Sequence, residues 1–583
     1  MRHRLIVLIS MLVLAVSAGV AQQQPNQTQA RRPARDSAST PQGTASIAGR
    51  VLSVDTGRPV KRARVIASAG GGQSRAESTD DQGRFRFGGL PAGAYTIRAS
   101  KSGFVEAIYG QRRPLQPGTA VQLADGQALA AVDFRLIRGA VITGRILDED
   151  GEPLVRALVS VERYQYVRGE RQLTAAGGDQ TDDRGQYRIF GLPPGEYYVS
   201  ASTTTLVQQL GRGFQVAIAG VTGGRGGGRG GFGIAPAQDA DPTGYAPTYY
   251  PGAITAADAT KLTVAPGQEL GGIDFQVQLV AMSTVRGFVM GADGPASVLL
   301  APQESNGGRR GRILRTGSEA DGSFMIANVP PGHYTAVARS GGRGGTPRMG
   351  TLSVNVTGEN ISGVTIALQA GISMSGYITV ESAGTPSPTD YSTFRVDAPE
   401  VSPLPFGGGP GGTGARAEKN GRFQIDNLFP GEHYVRVSGQ GAWTLKSISI
   451  AGGDVTDDTI DLHAGQSLDN LTVVLTDRTT AVDGTVRDGS GTPLPALTVV
   501  AFSSDPQYWR PQSRQIQAVR TDQSGVFHLR NLPPGEYELA VVDSVEQGEW
   551  FDPSFLQQIR SGAKRLTLSE GETKTQDLTG PGL

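Results

Sequence analysis

Residues Thr521 to Val541 read TDQSGVFHLRNLPPGEYELAV, and close relatives of this stretch occur four times upstream. They are TDDQGRFRFGGLPAGAYTI from Thr79, TDDRGQYRIFGLPPGEYYV from Thr181, SEADGSFMIANVPPGHYTA from Ser318 and AEKNGRFQIDNLFPGEHYV from Ala417. An acid stands three residues before a glycine: Asp80, Asp182, Glu319, Glu418 and Asp522 before Gly83, Gly185, Gly322, Gly421 and Gly525. An aromatic follows two residues later (Phe85, Tyr187, Phe324, Phe423, Phe527), with apolar alternation to Leu90, Leu192, Val329, Leu428 or Leu532. A proline turn then leads to Gly93, Gly195, Gly332, Gly431 or Gly535 and to Tyr95, Tyr197, Tyr334, Tyr434 or Tyr537.

Each position has a physical task. The acid accepts hydrogen bonds from turn amides, and the glycine takes the positive φ that closes a hairpin. The aromatic and the residue two further on face one side of the next strand. The proline-glycine turn reverses the chain, and the tyrosine opens the returning strand with its ring inside and its hydroxyl free to bond backbone at the corner. The stretch is a folding device, repeated.

Each copy is preceded by an alternating strand with glycine two residues before a β-branched residue: Gly49/Val51, Gly144/Ile146, Gly287/Val289, Gly376/Ile378 and Gly484/Val486. Closing strands follow at 132–136, 273–279, 364–368 and 471–475. The repeats predict an all-β chain of about five tandem Greek-key, prealbumin-like β-sandwiches at 45–137, 138–280, 281–369, 370–477 and 478–583. Few residues separate neighbouring units, which predicts an elongated rod. The second unit holds a Gly/Arg-rich insertion at about 205–245 that cannot build a core.

The opening strand, the D-x-x-G-x-F hairpin and the L-P-P-G-x-Y turn together resemble the carboxypeptidase regulatory-like domain, in five copies from about Ala45 onward. That resemblance implies a seven- or eight-stranded sandwich of the transthyretin-like, carbohydrate-binding-like type, related in shape to Cna B-type domains of bacterial surface proteins. It implies no catalytic activity. The opening strands carry no lysine, so the lysine–asparagine cross-links of some Cna B-type domains are not expected, and the fifth copy runs almost to Leu583, so a following barrel is not expected either.

Composition sets the remaining bounds. The 583 residues exceed one core. Basic and acidic residues both number 54, so no net field points to nucleic acid as a partner. Arg2 and Arg4, the apolar run from Leu5 and the small residues at 19–21 predict a secretory signal over 1–21, followed by a disordered linker at 22–44. With no cysteine, neither disulfides nor a lipid anchor at the cleavage site can serve. A periplasmic, secreted or cell-surface protein without a transmembrane segment after cleavage is expected.

The sequence offers no catalytic site, metal site or cofactor. His3, His333, His433, His463 and His528 lack zinc-ligand spacing, and His333 and His433, preceding the corner tyrosines, read as exposed strand positions. The acidic turns at 148–151 and 181–183 lack the alternation of a calcium loop. Arg-Gly runs read as flexible loops. Aromatics give the one binding candidate: Tyr508 and Trp509 in DPQYWRP, Tyr249 and Tyr250 in YAPTYYPG, and Trp443 and Trp550 offer rings on which sugars could stack. The expectation is a non-enzymatic structural, spacer or adhesion module, whose partners are polysaccharide or another envelope protein; the alternative is a carbohydrate-binding protein using those loop aromatics.

Overall fold

The computed structural model describes residues 43–70, 74–167, 169–203, 243–303, 313–341, 347–401, 414–439, 441, 443–463 and 465–580. The signal at 1–21, nearly all of the linker at 22–44 and most of the insertion at 205–245 lie outside the described residues.

The chain is all-β. In the first unit the opening strand Ala45–Ser53 pairs antiparallel with Arg84–Leu90 and parallel with Ala128–Leu129 and Phe134–Leu136. The facing sheet joins Ser74–Ser78, Arg64–Ala69, Gly93–Ser100 and the short strands Ala107–Ile108 and Val121–Leu123. Alternating side chains from the two sheets enclose a core that includes Ile47, Phe87, Ile97 and Leu136. Four further cores repeat this arrangement within 140–277, 285–368, 372–475 and 482–578. In the fourth unit Thr444–Ile450 crosses to the first sheet and pairs with the closing strand Ser467–Thr476.

The opening glycine makes the parallel closing strand possible. A Cβ at Gly49, Gly144, Gly287 or Gly484 would stand 2.0 Å from the carbonyl oxygen of Val132, Ile273, Val364 or Gln576, and one at Gly376 would stand 2.1 Å from that of Leu471. The signature aromatic sits directly across the ladder from this glycine in every unit, in the pairs Gly49–Phe85, Gly144–Tyr187, Gly287–Phe324, Gly376–Phe423 and Gly484–Phe527. Two residues on, the β-branched residue pairs with the closing strand: Val51 with Phe134, Ile146 with Phe275, Val289 with Ile366, Ile378 with Val473 and Val486 with Leu578. The fifth closing strand, Leu578–Thr579, has no counterpart among the four that the sequence indicates.

The hairpin glycines Gly83, Gly185, Gly322, Gly421 and Gly525 all have φ between 70 and 90°. In the aspartate copies the acid caps the turn: Asp80 accepts from the amides of Gln82 and Arg84 at 2.9 and 2.8 Å. Asp182 and Asp522 do the same with Arg184 and Gln186, and with Ser524 and Val526. In the glutamate copies the cap moves to the residue beside the glycine, where Asp321 accepts from the Ser323 amide at 2.9 Å and Asn420 from that of Arg422 at 3.0 Å. The tyrosine corner is present in four units. Tyr95, Tyr197, Tyr334 and Tyr537 donate to the carbonyls of Pro91, Pro193, Pro330 and Pro533 at 2.9, 2.6, 2.9 and 2.7 Å.

The fourth unit departs from the sequence reading. Its turn has the same length as the others, but the position two residues after Gly431 holds His433, and the tyrosine comes one residue later, so His433, not Tyr434, occupies the corner; the ring is fully buried, with Nε2 2.9 Å from the Phe429 carbonyl and Nδ1 2.8 Å from that of Ala398. His433 is therefore not an exposed strand position. Because side chains alternate along a strand, the slip sends Tyr434 to the opposite face.

The expected rod is also not what forms. The fifth unit folds back to touch the first, second and fourth, chiefly through two segments inserted into its second sheet.

Replacing Gly144 by alanine should cost about 1–3 kcal/mol, the range for forcing atoms into a filled interior. Hydrogen exchange followed by mass spectrometry should then show faster exchange at Ala140–Leu147 and around Ile273, with the first unit unchanged.

Candidate interface around the fifth sandwich

The strand Thr498–Ser503 is buried along its whole length, which requires cover on both faces of its sheet. One face lines the sandwich core. On the other, Val500, Phe502 and Ala540 pack beneath Trp509, Val545, Trp550 and Leu556, which come from the insertions at 504–515 and 543–563. The second insertion contains the helix Pro553–Ile559, capped by the Asp552 side chain accepting from the Ser554 amide. The unit thus has three layers, and this third layer meets its neighbours.

Here the aromatic candidates find their places. Trp509 is 6 % exposed, donates from Nε1 to the Ser503 carbonyl at 2.7 Å and packs edge-on to Phe502 at 5.6 Å. The Arg560 guanidinium lies 5.4 Å from its ring centre. Trp550 is 8 % exposed in the same layer. Tyr508, beside Trp509, is half-buried at the end of the turn Pro506–Tyr508. Trp443 packs against the fourth core and Tyr250 against the second, 6.0 Å from Phe275. The Tyr249 hydroxyl is bonded to Glu162 at 3.3 Å. The tryptophans of the fifth unit are thus not open sugar platforms, because their ring faces complete a core that the sandwich alone leaves uncovered.

Three sets of contacts join the fifth unit to its neighbours, most of them from this layer. Toward the fourth unit, Tyr434, displaced from its corner, donates to the Pro511 carbonyl at 2.9 Å, with Arg436 over its ring at 4.5 Å. Arg514 pairs with Asp457 at 2.8 Å and donates to the Leu445 carbonyl at 2.9 Å. Arg510 reaches Asp458 at 3.2 Å, and Lys446 reaches Glu570 at 3.1 Å. Toward the second unit, a long hairpin of Leu158–Val167 and Glu170–Gln180, with ten paired positions against five in the first unit, forms an arm. At its tip Tyr166 donates to Asp552 at 2.7 Å, and Arg163 stands 3.8 Å from Glu546. Gly169 sits so close that a Cβ would lie 2.9 Å from Phe551 and 3.0 Å from Pro511. Toward the first unit, Arg112 pairs with Asp543 at 2.5 Å, Gln116 donates to Ser544 at 2.9 Å, and Arg520 donates to the Gly110 carbonyl at 2.8 Å. A cleft of about 530 Å³ remains between the first and fifth units, lined by Thr119, Gln122, Arg520, Asp522, His528 and Trp550 among others.

The electrostatics suit contact more than catalysis. Burial pushes the Asp552 carboxyl up, but the Tyr166 hydroxyl and the amides of Ser554 and Phe555 outweigh it and hold the group below its ordinary 3.8. Burial raises Glu549 above its ordinary 4.5. His528 and Arg530 both engage Asp483 at 2.6 Å and, in that order, lower its pKa, but the histidine side chain is 59 % exposed and the cluster is a surface one. Among the described residues no group of three or more His, Cys, Asp or Glu could hold a metal ion.

A feature absent from the sequence reading is the hydroxyl just before the acid. Thr79, Thr181, Ser318 and Thr521 are buried, and each accepts from the amide that starts the facing sheet, at Ala63, Ala157, Ala296 or Leu497. The signal was readable as Thr/Ser in four copies, with Ala417 in the fourth unit.

Two outcomes follow for these contacts. Removing the half-buried Arg514 (Arg514→Ala) leaves Asp457 without its charge partner, with only the Gln515 amide bonded to it, at a cost of about 3 kcal/mol to docking of the fourth unit, near the value for stripping one partner from a desolvated pair; limited proteolysis should then cut between units four and five. The Tyr166–Asp552 contact should hold from neutral pH down through 3.8 and weaken as pH falls through the lowered Asp552 pKa. Glu549, raised above 4.5, has the opposite sign and favours docking at low pH. Asp552→Asn should abolish the acid limb of docking measured by exchange at 158–167.

The carboxypeptidase regulatory-like domain model matches residues 46–137, 141–223 and 481–579. Among solved structures, the Bacillus anthracis TIE protein aligns at 11 % identity over 88 % of this chain and 65 % of its own, with a TM-score of 0.13. A streptococcal ancillary pilin aligns at 13 % identity over 51 % of this chain and 99 % of its own, with a TM-score of 0.17. GBS52, the minor pilin of Streptococcus agalactiae, aligns at 13 % identity over 41 % and 97 %, with a TM-score of 0.20. No curated protein matches the chain. The chain is a tandem all-β protein that carries the carboxypeptidase regulatory-like domain in three copies.

Proposed function

We propose that the protein is an exported, non-enzymatic scaffold that holds five β-sandwiches in fixed relative positions at the cell envelope or outside the cell and presents their outer sheet faces to other molecules. The observation that carries this reading is the third layer of the fifth unit, bonded at once to units one, two and four. Short joints alone would leave five beads free to swing. Three polar contacts from one layer remove that freedom and turn a string into a body with defined surfaces. The signature residues support the reading, since the turn caps, the corner tyrosines and the buried hydroxyls are all used in folding. Export rests on the charged, apolar and small-residue segments of 1–21.

The test has two parts. N-terminal sequencing of the chain recovered from the periplasm or medium of an expressing Gram-negative host should begin near Gln22; retention in the cytoplasm with residues 1–21 intact would refute export. Small-angle scattering should give a maximum dimension well below the roughly 170 Å of five sandwiches in a row, each about 34 Å across. An Arg112→Glu, Arg514→Glu variant should lengthen toward that value with its β circular dichroism unchanged. A wild type already at rod length would refute the scaffold.

A further inference from the structure

The five units fold by the same rules, so a position where one of them departs on its outer surface, away from those rules, reports something other than folding. The third unit departs at two such positions. The residue after the opening glycine is Arg50, Arg145, Tyr377 or Thr485 in the other units, and Phe288 here; the residue after the signature aromatic is Arg86, Arg188, Gln424 or His528, and Met325 here. Both point away from the core, on the solvent side of the three-stranded sheet of Ser283–Met290, Ser323–Val329 and Ile361–Ala367. Phe288 is 51 % exposed, Met325 54 % and Met290, at the end of the same strand, 58 %. Three large apolar side chains on one small sheet face form a patch of the kind that marks contact sites.

Two charges frame it. Arg286 lies across the ladder from Met325, and Phe288 across from Ser323. Glu319 lies at the hairpin end, its amide bonded to the Ser323 carbonyl. Turn capping, the task of the acid in units one, two and five, has passed to Asp321 here, which leaves the Glu319 carboxylate without a role in the fold. Among the described residues neither Arg286 nor Glu319 has an ion-pair partner, and both line the same shallow groove of about 500 Å³ with Phe288 and Met325. The face therefore carries an unpaired base at one end, an unpaired acid at the other and apolar side chains between them.

A surface of that kind is complementary to itself after a half-turn. We propose that this face joins two copies of the chain in an isologous contact, in which Phe288 and Met325 of one copy pack on those of the other and Arg286 pairs with Glu319 of the second copy. Charge complementarity selects this occupant: an unrelated apolar peptide would satisfy the patch but leave both charges unmatched. Two-fold pairing matches both with one geometry.

The experiment is sedimentation velocity on the full chain from roughly 1 to 100 µM, where a micromolar dimer would declare itself. The expected result is a concentration-dependent monomer–dimer equilibrium. Phe288→Arg with Met325→Arg installs the residues that the second unit already carries as Arg145 and Arg188, so the sandwich keeps its fold, verified by unchanged thermal unfolding. This variant should weaken the dimer at least about 100-fold, and Arg286→Glu at least about 10-fold. Combining Arg286→Glu with Glu319→Arg should restore wild-type association. A wild type that stays monomeric at 100 µM, or a folded double-arginine variant that still dimerises, overturns the proposal. Failure of the charge swap to restore association overturns the pairing of Arg286 with Glu319.

Discussion

A backbone carbonyl of the closing strand lies where the first side-chain carbon of the opening strand would be, 2.0 to 2.1 Å from that position in all five units. Only glycine permits the approach, and the approach allows each unit's closing strand to lie parallel beside its opening strand. The sheet then has a thin spot at the glycine, which the aromatic across the ladder covers, and that aromatic must arrive in register from a tight hairpin. The acid or its neighbour sets the hairpin, the positive-φ glycine closes it, and the buried hydroxyl ties it to the other sheet. One close approach therefore fixes the spacing of nearly everything in the repeated twenty residues.

Because the constraint is local, it was legible. Gly49 to Val51, the D-x-x-G turn at Asp80 and the corner at Tyr95 can be read from residue types and spacing, and the structure places them as those types require. His433 shows where such reading fails. A tyrosine three residues after Gly431 looks like its counterparts two residues after glycine elsewhere, but alternation along a strand turns one residue of slip into a change of face. The histidine takes the buried corner, and the tyrosine becomes a contact to Pro511. The tryptophans of the fifth unit misled for a related reason. DPQYWRP has the composition of an exposed loop, and nothing within it reveals that a second insertion some forty residues later will close over it.

The folding back of the fifth unit was not legible at all. Arg112 and Asp543 stand 431 positions apart, Tyr166 and Asp552 386 apart, and each alone is an ordinary surface residue in the sequence. The division of labour explains this. Apolar burial is largely completed inside each sandwich, in a pattern the sequence repeats, whereas the contacts between units are mostly polar and occur once each. Single exposed ion pairs contribute about 0–1 kcal/mol. The fourth-unit contact is stronger in kind, because Arg514 and Asp457 are largely covered and share further hydrogen bonds with Leu445 and Gln515. Contacts of this type weaken with salt far more than the sandwich cores do, so the arrangement of the units is more sensitive to its surroundings than the units themselves.

The first and fifth units are neighbours in space, and the cysteine-free chain makes their separation directly measurable. Gln122 and Gln547 are both exposed and line the same cleft from opposite units. Dyes on Gln122→Cys and Gln547→Cys should show high energy-transfer efficiency in single molecules, with a separation of a few tens of ångströms. Near-zero transfer would mean that the fifth unit does not fold back, since three intervening sandwiches of about 34 Å each would hold the labels roughly 100 Å apart.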